Sequence, residues 1–338
     1  MEHPIRNTAG LLAAALLLSN TAFAVADEAA PAAKPVTEQL VDTMTKLAHG
    51  PYKGFRANHA KGIMAEGTFT PSAEAAGISK APHLQEAASP VLVRFSNATG
   101  VPTIPDADGN ALPKGMAIRF TLPDGGNTDI VAISVNGFPA ATPEDFLGLL
   151  NAVAASGPGV ASPKPVETFL GTHPAALKFV STPKPAPVSF ATQPFFGVNA
   201  FAFTNAQGET RYGRYRIIPL AGAQFLGTEE AARQTPNYLM EELPLRLGKE
   251  EAKYRLVLQL AEPGDAVDDP TAVWPEERKQ VELGVLTLKT AVANSREAER
   301  TLMFNPLALP DGIAPSNDPI LLARPGAYAV SYGRRLVP

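Results

Sequence analysis

Apolar and polar residues alternate with a period of two in eight short runs, and each run predicts a strand. They are Ile63–Phe69, Val91–Ser96, Met116–Thr121, Ile130–Val135, Val198–Thr204, Arg211–Ile217, Tyr254–Leu260 and Val281–Leu288. The alternation is cleanest in the fifth, with Ala200, Ala202 and Thr204 on one face and Asn199, Phe201 and Phe203 on the other. Asp124-Gly-Gly-Asn127 and Asn205-Ala-Gln-Gly208 read as hairpin turns. Helical spacing replaces the alternation in two places. Leu40, Met44 and Leu47 mark a helix over Val36 to Ala48, with Thr37 as its N-cap and Gly50-Pro51 as its stop. Thr142-Pro143-Glu144-Asp145 is a capped start with proline at the first helical position, and it turns Phe146, Leu147, Leu149 and Leu150 onto a buried face. Prolines crowd Pro158 to Pro194 and predict an extended strap there. Four strands, a helical and proline-rich insertion and four more strands predict an antiparallel β-barrel with helices outside. A lipocalin-like barrel or a sandwich shares the same pattern.

The ends change the picture. Residues 1–26 read as an export signal: Arg6 is the positive region, and Leu11 to Leu18 is too short to span a bilayer. Small residues at Ala22, Ala24 and Ala26 suit cleavage. Residues 27–35 read as a disordered lead, which leaves 36–338 as one large domain. The expected location is periplasmic or secreted, with no membrane contact after cleavage. A formal charge of −4 gives no basic footprint for nucleic acid. The chain has no cysteine, which excludes disulfides, a thiolate nucleophile and a thiolate metal ligand.

Candidate chemistry concentrates in three stretches. His59 is one of only five histidines and stands in Arg56-Ala-Asn-His59-Ala-Lys-Gly62. Val93-Arg94-Phe95-Ser96 ends the second strand, and Arg324-Pro-Gly-Ala-Tyr328-Ala-Val-Ser-Tyr332-Gly-Arg-Arg335 lies near the C-terminus. Alone, each has an ordinary reading: a surface histidine beside a turn, a hydroxyl at a strand end, a helix with core tyrosines. Together and in this order they resemble the haem-binding core of the catalase family, more narrowly its short, catalase-related peroxidase branch. Gly115-Met-Ala-Ile-Arg-Phe120, Asp124 to Val131 and Asn205 to Tyr212 add weaker matches in the same order.

The resemblance implies an α+β fold, a catalase-like antiparallel eight-stranded β-barrel with surrounding helices, holding haem b. Tyrosine is the iron ligand in catalase, and Tyr328 fits because Arg324 precedes it by four residues, beside it on a helix. A phenol is neutral in water at neutral pH; ferric iron and an adjacent guanidinium both favour its anion. Tyr332, one turn on, is the rival ligand. His59 matches the acid–base residue that takes a proton from one peroxide oxygen and returns it to the other. Ser96 matches the hydroxyl that orients it. Arg56, Arg94 and Arg335 match positions that bind the haem propionates, where charge-assisted bonds to carboxylates call for arginine.

Two departures shape the expected activity. The family places an asparagine in the peroxide pocket to polarise the substrate; Asn136 is the nearest candidate, at altered spacing, and Ser134 is its rival. The resemblance also stops at the last arginine pair, which predicts a more open haem edge than in full-length catalases. The expected function is therefore a haem peroxidase, an oxidoreductase reducing hydrogen peroxide or organic hydroperoxides with a small organic electron donor, with weak catalase activity. The alternatives are a small true catalase, a hydroperoxide-rearranging haem enzyme or, in a different class, a non-enzymatic barrel binding an apolar ligand. A homodimer is implied by the resemblance alone.

Overall fold

A computed structural model describes residues 33–85 and 87–337. The expected export signal, and the lead as far as residue 32, lie outside the described residues. The strands are β1 (Gly62–Pro71), β2 (Ser89–Asn97), β3 (Lys114–Thr121), β4 (Asn127–Ile133), β5 (Phe195–Phe196), β6 (Phe201–Thr204), β7 (Thr210–Pro219), β8 (Ala252–Leu260), β9 (Gln280–Ala291) and β10 (Ile313–Pro315). Their order β5-β4-β3-β2-β1-β9-β8 is closed by β7, which pairs with both β8 and β5. β6 continues β5 along the same edge of β7, so the two form one broken strand in a closed, antiparallel eight-stranded barrel. All eight expected strands are present. The fifth begins earlier than expected, at Phe195, and breaks before Phe201. Within the break Asn199 is drawn into polar bonds with the helical layer. β10 adds to the outer edge of β6.

The barrel interior is filled. Val91, Val93 and Phe95 of β2 point inward with Met116, Ile118 and Phe120 of β3 and Ile130 and Ala132 of β4. Phe95 stacks on Phe190 with ring centroids 4.9 Å apart. Each of the larger of these side chains, fully buried, contributes about 1.5–3 kcal/mol. Because side chains alternate, the intervening residues Arg94, Ser96, Gly115, Val131 and Ile133 face outward. Nothing in a solvated strand needs that set, and helices cover it.

The helices are α1 (Val36–Leu47), α2 (Ala75–Ile78), α3 (Pro143–Ala154), α4 (Pro165–Thr172), α5 (Pro174–Ser181), α6 (Thr228–Ala232), α7 (Tyr238–Leu247), α8 (Ser295–Arg300) and α9 (Pro319–Leu336). α1, α3 and α9 pack against one another and enclose a cavity against the outward face of β2–β4. Thr142 caps α3 as expected, its hydroxyl accepting from the Asp145 N–H at 3.1 Å. Thr37 does not cap α1. The helix starts after Pro35 without a side-chain cap, and Thr37 lies against α9 at Gly326, where an added Cβ would come within 3.2 Å of its methyl group. The proline-rich stretch is not simply an extended strap, because it contains α4 and α5. Each starts with proline at its first position, where the missing N–H costs nothing.

Candidate active site

The cavity gathers the residues singled out from the sequence. His59, in the loop before β1, adopts a left-handed backbone with φ of 55°, a region non-glycine residues occupy sparingly and often at functional sites. Three contacts hold the loop there. The Arg94 guanidinium donates to the His59 carbonyl at 2.9 Å, the Ala60 N–H to Thr99 O at 2.9 Å, and the Ala57 N–H to Ser331 Oγ of α9 at 3.1 Å. The His59 Nδ1 lies 3.0 Å from Ser96 Oγ, and the two share a hydrogen bond. Gly115, beside Ser96 on β3, leaves them room: a Cβ there would lie 2.8 Å from the imidazole and 2.9 Å from the hydroxyl. Burial, then Arg94, Arg324 and Arg56, push the His59 ring down to about 3, so it is neutral at physiological pH.

Tyr328 reaches the same cavity from α9. Its phenol oxygen accepts from Arg324 Nε at 3.0 Å and from the second guanidinium nitrogen at 2.9 Å. Arg324 also donates to Asn199 Oδ1 at 2.6 Å, and Asn199 donates in turn to Asp318 Oδ2 at 2.6 Å. The other oxygen of Asp318 caps α9, accepting from the N–H groups of Ile320 and Leu321. Tyr332 lines the cavity as well, but its hydroxyl donates to the Thr301 carbonyl at 3.2 Å. The guanidinium thus sits on Tyr328 and not on its rival.

Arg56, Arg94 and Arg335 converge at one side of this cavity. Arg56 donates to the Glu299 carboxylate at 3.1 Å and to Leu302 O at 2.8 Å, and Arg94 donates to the same carboxylate oxygen. Arg335 donates to Arg300 O at 2.9 Å and Leu302 O at 3.0 Å. Burial, followed by repulsion from Arg94, pushes the Arg56 guanidinium down to about 8, with Glu299 opposing. The remaining walls are apolar: Val131 and Ile133 from β4, Phe138 and Phe146, Met303 and Phe304. Neither Asn136 nor Ser134 lines the cavity. Asn136 is half-buried in the turn after β4, and Ser134 Oγ accepts from the Lys114 N–H at 2.9 Å.

Three participants were not singled out from the sequence. Asp318 stands before Pro319, a cap-and-proline start that was legible. Glu299 sits in a charged run, Ser-Arg-Glu-Ala-Glu-Arg, that resembles a solvated helix face. Asn199 carried no local signal, being one polar position in a strand.

This architecture can be matched to known proteins. The sequence model of the family described as Catalase fits residues 38–338. The chain belongs to the catalase family. Among its relatives, the catalase-related peroxidase of Mycolicibacterium paratuberculosis is 36% identical over 301 residues, covering 88% of this chain and 94% of the relative. The catalase-related peroxidase of Synechococcus elongatus is 34% identical over 307 residues, covering 90% of each. Catalase A from Saccharomyces cerevisiae shares the fold, with a TM-score of 0.75 at 21% identity over 88% of this chain and 64% of that one. A fungal catalase superposes equally well, at 0.75 and 23% identity, over 88% of this chain and 62% of its own. Membership of the catalase family implies haem, and the donor set fits it. A tyrosine braced by arginine suits ferric iron, three arginines suit two carboxylates, and the walls between them are apolar.

Proposed function

We propose that this protein is a haem b peroxidase, reducing hydrogen peroxide or an organic hydroperoxide with electrons from a small organic donor. The observation that carries the reading is the convergence on one apolar cavity of an arginine-braced tyrosine and a neutral, serine-bonded histidine. Tyr328 would hold the iron as its phenolate, and Arg56, Arg94 and Arg335 would hold the propionates. The haem, when bound, supplies the redox chemistry at its iron. The protein's own task at the peroxide is proton transfer. His59 accepts the proton of one peroxide oxygen and delivers it to the other, which leaves as water or alcohol. Ser96 fixes the ring's rotation through Nδ1, leaving Nε2 for the substrate. Two electrons and two protons from the donor complete the reduction of one peroxide to alcohol, or water, and water.

Reduction by a donor is favoured over dismutation by the β4 wall. Val131 and Ile133 face the cavity there, and the amide of Asn136 is not among its lining groups. A second peroxide finds no amide on that wall to hold it for oxidation to dioxygen, whereas a donor needs only access to the cofactor's edge. Export through residues 1–26 is part of the same proposal and rests on their sequence pattern. The test is partition of peroxide between two fates. With a small aromatic donor in excess, donor oxidation should account for most peroxide consumed, and oxygen, followed by electrode in the same cuvette, should be the minor product. One oxygen per two peroxides under those conditions would make the protein a small catalase.

A further inference from the structure

Lys61, Asn97 and Lys114 each follow or precede a residue of the peroxide site by one or two positions, yet none faces the cavity. Cross-strand register sets Gly62 beside Ser96 and Ser96 beside Gly115; one step along, it sets Asn97 beside Lys114. Alternation turns this second row to the other side of the sheet, into the end of the barrel interior. All three side chains are buried there, Lys114 and Asn97 at 0% exposure, and all converge on Asp106, also at 0%.

The knot is fully bonded. Lys61 Nζ lies 2.8 Å from Asp106 Oδ1, and it donates to Ile104 O and Pro236 O at 2.8 Å each. The Asn97 amide donates to Asp106 Oδ1 at 2.8 Å. Lys114 Nζ donates to Asn97 Oδ1 at 2.7 Å and to Asp106 O at 2.6 Å. Asp106 Oδ2 accepts from the Leu239 N–H in the first turn of α7, at 3.0 Å. Burial pushes the Lys114 ammonium down to about 7, with Asp106 opposing and Lys61 adding to the shift. Two buried lysines sharing one nearby carboxylate, only Lys61 paired with it directly, are expensive where a core needs only volume, since hydrophobic residues of like size would fill it as well or better. What such a knot adds is a unique geometry for the segments tied to it. Those segments are the ones that carry His59, Ser96 and Gly115.

We propose that Asp106, with Lys61, Asn97 and Lys114, is a positioning cluster that holds the His59–Ser96 pair in register for proton transfer. The proposal rests on the peroxidase reading. Asp106 ties the segment before β1 to β2 through its carboxylate, and reaches Lys114 of β3 through its backbone carbonyl and through Asn97, on the side of the sheet away from the cavity. Removing it frees the strand ends to splay by fractions of an ångström, enough to spoil a 3.0 Å hydrogen bond between side chains one residue away.

Two variants, Asp106→Asn and Asn97→Ala, test it in the full chain loaded with ferric haem. Haem uptake, titrated at the Soret band, should stay within about twofold. The second-order rate of the peroxide-dependent Soret change should fall by about tenfold or more. The association rate of cyanide, which arrives as HCN and, like peroxide, needs a proton acceptor in the cavity, should fall in parallel. In a His59→Ala background the same substitutions should change either rate by less than about twofold, because a cluster acting through His59 has nothing left to position. Unchanged rates per haem-loaded molecule, or equal losses with and without His59, would show that the cluster serves folding alone. If Asp106→Asn fails to fold, Asn97→Ala decides by the same criteria. Should the wild-type protein bind cyanide but ignore peroxide, the peroxidase reading fails, and the cyanide rates still judge the cluster.

Discussion

The Tyr328 phenol oxygen receives two N–H groups from Arg324, which favours its phenolate, the form that would bind ferric iron. Tyr328→Phe should therefore abolish or grossly alter the ferric haem spectrum, whereas Tyr332→Phe should leave it in place, its hydroxyl being committed to the Thr301 carbonyl. The opposite outcome would move the ligand to Tyr332. On the other side, His59→Ala should still take up haem but slow the peroxide reaction by about 10²-fold, the low end for loss of a general acid–base group. Ser96→Ala should cost less, since it only aims the ring. Gly115→Ala probes the same pair sterically: its methyl group would meet the imidazole at 2.8 Å. It should reproduce much of the His59→Ala rate loss with haem uptake intact, as stopped-flow spectroscopy can show. The His59 ring, pushed down to about 3 by burial and by Arg94, is already in its accepting form throughout the physiological range. The rate of the peroxide reaction should accordingly show no histidine inflection between pH 5 and 8. An inflection near 6.5, the ordinary value for a solvated histidine, would mean that the ring stands in water.

At the scale of elements, α9 carries Arg324, Tyr328, Ser331 and Arg335, and its position depends on its first turn. Asp318 caps that turn and grips Asn199 with its other oxygen. Asp318→Ala should cost about 0.5–2 kcal/mol for the cap, read as a lowered urea midpoint. It should also shift the haem spectrum, because Asn199 loses the partner that aims it at Arg324; Asp318→Asn, which keeps a capping oxygen, should recover the midpoint better than the spectrum. The eight strands were legible because one face of each is buried in the barrel and alternation records that fact. The break between β5 and β6 was not. The sequence marks the strand only from Val198, and only the distant Asp318 and Arg324 reveal why Asn199 leaves the line. α4 and α5 were obscured for a different reason, since proline at a first helical position and proline in an extended strap look alike in sequence. Thr37 shows the converse error, a good capping residue used instead as a contact for Gly326.

For the whole molecule, two buried histidines make folding stability depend on pH. His59 is pushed down to about 3 and His83 to about 4, the latter by burial alone. His83 is 1% exposed and its Nδ1 finds no partner among the described residues. In the unfolded chain both rings titrate near 6.5, so below that value the unfolded state binds more protons. The stability conferred by the neutral rings is complete above about 6.5 and is lost as pH falls toward 4 and then 3. Urea midpoints of the haem-free protein should fall over that window, and His83→Leu should flatten the decline; an equally steep decline in the variant would assign it to other groups. The cavity itself could not be read from local pattern, because its walls come from both ends of the chain, β2–β4 and α1 on one side and α9 on the other. Only the ordered recurrence of family motifs joined His59 to Tyr328. The barrel's alternation has one more consequence, for how such a protein can change over generations. Stability is written on inward positions such as Ile118 and Ile130, while the cavity wall is written on their neighbours Ala117 and Val131. A library randomised at Val131, Ile133, Phe138 and Phe146 should keep folded barrels in most members and vary in the peroxides and donors they accept. The same library built on Phe95, Ile118, Ile130 and Ala132 should yield mostly insoluble protein. New specificities are thus within reach of single substitutions that leave the core untouched.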